Sequence, residues 1–71
     1  MSPTKLAFLK RIGKQIRDRR KEKDLTQEEL AYEVSINASY VGRIERGEAN
    51  APIYTLKKIA KVLKLSNIAI D

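Results

Sequence analysis

The side chains available for chemistry in this chain are few in kind. It holds neither histidine nor cysteine, which removes the imidazole base of Ser-His and Cys-His catalysis, thiol nucleophiles, disulfides, and the usual ligands of zinc and haem. No metal and no cofactor is expected, and catalysis has no nucleophile-base pair to start from. What remains is cationic: 15 Lys and Arg against 9 Asp and Glu give a net charge of +6, with a pI near 9.8. That balance favours polyanionic partners, nucleic acid first and an anionic membrane surface second. Three charged residues are informative by position. Arg20 closes a stripe of Leu9, Ile12, Gly13 and Ile16 recurring at helical spacing, so it points the same way as they do. Glu45 lies one turn beyond Val41, on the inward side of a later helix, and two opposite charges aimed at one interior suit a bidentate Arg-carboxylate pair. Arg43 instead falls opposite Val41 and Ile44, with residues 39, 42 and 46, where its planar fork could meet guanine O6 and N7.

These residues have to be positioned by helices, because helical periodicity runs nearly throughout. The first helix is expected from about Thr4 to Glu22, with Asp24 as its stop, since Asp tolerates the left-handed conformation better than most residues. Thr26, followed three residues on by Glu29, reads as a capping box ahead of Leu30, Ala31 and Val34. Ser35, Ile36 and Asn37 leave room only for a tight turn. A third helix from about Ala38 to Arg46 buries Val41 and Ile44 and ends at Gly47. Residues 48–52 read as loop, Ile53, Leu56, Ile59, Ala60 and Leu63 as a fourth helix with its lysines outward, and Ser66 as the cap of a short last turn. No linker, repeat or low-complexity tract divides the chain, so residues 1–71 are expected to form one all-α domain. The apolar run Leu6–Leu9 is too short for a signal peptide or a spanning helix, and the cytoplasm is the expected compartment.

Two short helices joined by three or four residues, the second bearing a polar face, make the pattern of a helix-turn-helix. The residues are more specific than the spacing. Leu25-Thr26-Gln27-Glu28-Glu29-Leu30-Ala31 followed by Ser39-Tyr40-Val41-Gly42-Arg43-Ile44-Glu45-Arg46-Gly47 resembles the XRE or phage repressor-Cro family of regulators. The resemblance extends from about Ile12 to Leu65 and takes in Leu56-Lys57-Lys58-Ile59-Ala60-Lys61-Val62-Leu63; it is nearest to restriction-modification controller proteins and SinR-type repressors. It implies a compact four- to five-helix bundle of the lambda-repressor type with a central helix-turn-helix. It further implies that Gln27 braces the recognition helix and touches a phosphate, that Asn37, Ala38, Ser39 and Arg43 face base edges, that Tyr40 and Arg46 lie near phosphates, and that Arg20 pairs with Glu45. The chain departs from the family's habits at Asp24, where glycine is usual, at Arg19, often aliphatic, at Ala38, often a long amide, and at Ile53, where some phage repressors send an arginine into the minor groove.

The function implied is that of a sequence-specific regulator binding a pseudo-palindromic operator in double-stranded DNA as a homodimer, because one reading helix specifies few base pairs. Ile68 and Ile70, otherwise unexplained apolar residues, are the expected dimer interface. Neither a membrane nor a small-molecule substrate is implied. A different class of function, a protein-interaction module of antitoxin or adaptor type, would need an exposed apolar patch. Several features keep more than one reading. Gly42 in a helix interior costs about 1 kcal/mol relative to alanine and implies close approach by DNA or by a neighbouring helix. Lys10, Lys14, Arg17 and Lys21 form a basic stripe that is solvated, or else meets phosphate or lipid. Tyr32 and Tyr54 suit core edges or an oligomer surface better than base stacking.

Overall fold

A computed structural model describes residues 4–66, which form four helices and, among the described residues, no strand. They are α1 (Thr4–Glu22), α2 (Gln27–Val34), α3 (Ala38–Glu45) and α4 (Ile53–Leu63). In α1 the inward stripe is Ile12, Gly13, Ile16 and Arg20, all buried. The Thr26 hydroxyl accepts from the Glu29 N–H at 3.0 Å, and the Glu29 carboxylate accepts from the Thr26 N–H at 2.8 Å. This capping box supplies partners for two backbone donors that the start of α2 would otherwise leave bare. From α2, Leu30, Ala31 and Val34 turn inward. The centre of the core is Ile16, Leu30, Val34, Val41, Ile59 and Leu63, all under 2% exposed, each worth about 1.5–3 kcal/mol of burial. Every helix contributes to it, with α3 packed on α1 and α2, and α4 closing the other side.

All four helices finish in the same way. A residue with positive φ follows the last turn: Asp24 (58°), Ser35 (64°), Gly47 (77°) and Lys64 (58°). The amide after each bends back to a carbonyl of the last turn, Leu25 to Arg20, Ile36 to Ala31, Glu48 to Arg43 and Leu65 to Ala60, at 2.8–3.1 Å. This is the Schellman reversal, which satisfies carbonyls that a helix end would leave open. Three of the four use a side-chain-bearing residue where glycine is the unstrained choice. Sequence reasoning anticipated the stops at Asp24 and Gly47.

Gly13 lies where α1 meets the backbone of α3. A Cβ there would fall on the carbonyl oxygens of Ile44 and Glu45, so α1 crosses directly over the end of α3. Arg19 ties α1 to α4: its Nε donates to the Leu63 carbonyl at 2.8 Å and its Nη1 to Glu22 at 3.0 Å. One expectation is corrected: Ile53, read with the apolar residues of α4, is 54% exposed, and Thr55 is the buried residue at that end of the helix. Tyr32 is 84% exposed, which removes its core-edge reading and leaves the oligomer surface. Ile68, Ile70 and any turn beyond Ser66 lie outside the described residues.

Candidate nucleic-acid interface

The site begins with a buried charge. Arg20 is 7% and Glu45 6% exposed, and they meet face to face: Arg20 Nε donates to Glu45 Oε2 at 2.6 Å and Nη2 to Oε1 at 3.0 Å. Nη1 donates to the Leu25 carbonyl at 2.8 Å. The Glu45 hydrogen bonds raise the Arg20 pKa above its ordinary value, with burial opposing them. Glu45 also accepts from Gln27 Nε2 at 3.0 Å, so one carboxylate at the end of α3 holds both the last turn of α1 and the first residue of α2. Among the described residues no buried side-chain nitrogen or oxygen lacks a partner. A network satisfied in this way fixes helix angles, because each donor loses its partner if α3 rotates.

With its inner side fixed, α3 presents the outer one. Asn37, Ser39, Arg43 and Arg46 are exposed, while Ala38 and Tyr40 are half-buried and pack against the core. Asn37 precedes the helix with extended backbone and makes no side-chain cap bond. Arg43 Nη2 donates to the Glu48 carbonyl at 3.4 Å, and Arg46 Nε lies 3.1 Å from Glu48 Oε1. Gly42 is buried, although the helical repeat turns it away from Val41 and Ile44, because side chains cover it. A methyl on it would sit 3.1 Å from Arg46 Nη1 and 3.5 Å from Gln27 Oε1. Two long side chains, one from α2 and one from α3, therefore lie across it. Of its two readings, close approach by a neighbouring helix is met through Gln27 of α2.

Glu48 was not identified from sequence. Its signal was available: a glycine directly after a helix returns the following residue over the last turn, and that residue here is acidic beside two arginines. The stripe on α1 is partly neutralised, since Lys14 pairs with Asp18 at 2.7 Å and lowers the Asp18 pKa mainly through that hydrogen bond. No described group of His, Cys, Asp and Glu could hold a metal ion, and no described helix is long and apolar enough to cross a membrane.

Four helices with short α2 and α3 joined by a tight reversal, and a polar outer face on α3, define a helix-turn-helix domain. The helix-turn-helix family HTH_3 matches residues 16–66, and the chain belongs to it. It is 34% identical over 59 residues to the HTH-type transcriptional regulator y4dJ of Sinorhizobium fredii, covering 83% of this chain and 77% of that protein. Among solved structures it is similar to the restriction-modification controller protein C.AhdI of Aeromonas hydrophila, with 37% identity, a TM-score of 0.80, and coverage of 84% and 91%. It is also similar to the controller protein C.Esp1396I, crystallised as a tetramer on its natural 35 base-pair operator, with 37% identity, a TM-score of 0.76, and coverage of 84% and 79%.

Proposed function

We propose that this protein is a sequence-specific DNA-binding transcriptional regulator that acts as a homodimer, each copy laying α3 into the major groove of one half of a pseudo-palindromic operator. The observation that carries this reading is the division of α3 into two faces. Val41, Ile44 and Glu45 are buried and held through Arg20 and Gln27, while Ser39, Arg43 and Arg46 stand in solvent on a molecule of net charge +6. A rigid helix with an open cationic face suits a groove that admits one helix and is read by arginine forks. Asn37, Ala38, Ser39 and Arg43 face base edges in this reading; Gln27, Tyr40 and Arg46 face phosphates. The operator complex of C.Esp1396I supports a multimeric mode of binding. Activity is binding and not catalysis, with no cofactor, carried out in the cytoplasm.

Selection from a randomised duplex pool, followed by sequencing, tests this directly. A paired motif with half-sites about 34 Å, or roughly 10 bp, apart is expected, together with a dimer on DNA by sedimentation. Ile53 and Tyr54, neighbouring and 54% and 69% exposed, favour a second reading as an antitoxin or adaptor whose chief ligand is a protein. Recovery of no enriched sequence would select that one.

A further inference from the structure

We infer that Glu48 is a positioning residue that sets the DNA-contacting geometry of Arg46. Its place is fixed twice. The Schellman reversal at Gly47 bonds the Glu48 N–H to the Arg43 carbonyl at 2.8 Å, returning the residue over the last turn of α3 whatever its side chain does. The carboxylate then forms an ion pair with Nε of Arg46 at 3.1 Å, both side chains being more than half exposed. Held at Nε, the side chain folds back until its Nη1 lies over Gly42, where a methyl would come within 3.1 Å of it and within 3.6 Å of Gln27 Nε2. The absence of a side chain at Gly42 leaves room for this arrangement. Arg46, at the end of α3, and Gln27, at the start of α2, thus both reach over Gly42, Gln27 with one amide hydrogen already given to Glu45, and a phosphate lying over Gly42 is the ligand that the two suit.

The inference rests on the proposed DNA-binding reading and adds a carboxylate to an interface otherwise described by its cations. A carboxylate near DNA repels every sequence alike. Preorganisation of Arg46 rewards only the docked geometry in which the phosphate lies against Gln27, because a loosely bound random duplex does not require that register. The two effects therefore separate on different DNA.

The experiment uses the full chain, the operator recovered from the randomised pool, and a scrambled duplex of equal length and composition. Glu48→Gln, Arg46→Ala and the double variant are titrated by fluorescence anisotropy, and their melting curves establish that each folds. Glu48→Gln is expected to tighten binding to scrambled DNA by about two- to fivefold per subunit, the scale of an exposed charge interaction, while operator binding stays level or weakens. The ratio of the two affinities falls severalfold. In the Arg46→Ala background the same substitution is expected to shift both duplexes equally. An equal shift on both duplexes with Arg46 present, or an undiminished change of ratio in the Arg46→Ala background, would overturn the inference. If the unsubstituted protein selects no sequence at all, the DNA-binding reading fails first.

Discussion

Arg19 Nε donates to the Leu63 carbonyl at 2.8 Å, joining the last turn of α1 to the last turn of α4. The bond brings a cation to a helix C-terminus, where the backbone dipole favours it. Replacing Arg19 by leucine, which keeps an apolar stem at that position, is expected to cost about 1 kcal/mol, since the side chain is one-third exposed. Urea denaturation measures the cost, and faster amide exchange at Leu65 would place the loosening at the end of α4.

The Arg20 and Glu45 pair should behave as a unit. Arg20→Ala is expected to lose about 3–5 kcal/mol, because Glu45 keeps a buried charge with only Gln27 left beside it. Removal of both partners should cost less than the two single losses added together. Urea denaturation of the double-mutant cycle reads the difference, and strictly additive losses would show that the pair is not coupled. The raised Arg20 pKa gives stability that is fully present below the unfolded arginine value and is lost only as pH rises through the folded one. Arg20 therefore contributes no pH dependence in the neutral range.

Three helix ends carry a side chain in the left-handed region, and each is a place where the fold is strained. Glycine at Asp24, Ser35 or Lys64 is expected to stabilise by about 0.5–1 kcal/mol. Lys64 should gain most and Asp24 least, because Asp tolerates this conformation. Gly47→Ala should move the other way: φ there is +77°, and the added methyl would lie 3.0 Å from the Lys10 Cα. Thermal melting resolves these changes at several degrees per kcal/mol for a domain of this size.

Arg43 and Arg46 are expected to differ in kind. Arg46→Ala should weaken binding to every duplex, random sequence included, and reduce the salt slope by about one counterion per subunit. Arg43→Ala should instead erode discrimination at one base position per half-site by about 1–3 kcal/mol. Affinities on the operator, a single-base variant and random duplex across a salt series separate the two. Exchange of the two patterns would mean that α3 is turned about its axis relative to this assignment.

Much of the fold was legible because its signals are local. The stripe through Ile12, Gly13 and Ile16, the Thr26 and Glu29 box, and the inward residues of α2 and α3 each depend on residues a turn or two apart. Gly42 kept two readings because helical phase says which way a residue faces, not what a side chain from another helix lays over it. Ile53 was misplaced because periodicity does not report where the core ends. The left-handed ends at Ser35 and Lys64 had no glycine to mark them. Arg19 could be seen to depart from family habit, but its partner is a carbonyl on another helix, which no sequence spacing encodes. The proposed contact residues on α3 were read from phase together with family resemblance, whereas Glu48 required the backbone reversal at Gly47 to bring it into view.

The two faces of α3 also bear on how such a protein changes over evolutionary time. Its hold on the domain is made by Val41, Ile44 and Glu45, while Ser39 and Arg43 project into solvent. Substitutions at the outer positions should alter stability by no more than about 0.5 kcal/mol, as exposed replacements away from caps and networks do. With Ser39 and Arg43 reading bases as proposed, a lineage can retarget its regulator one base position at a time without passing through an unfolded intermediate, and copies duplicated from one ancestor can diverge in what they bind while remaining interchangeable in how they fold.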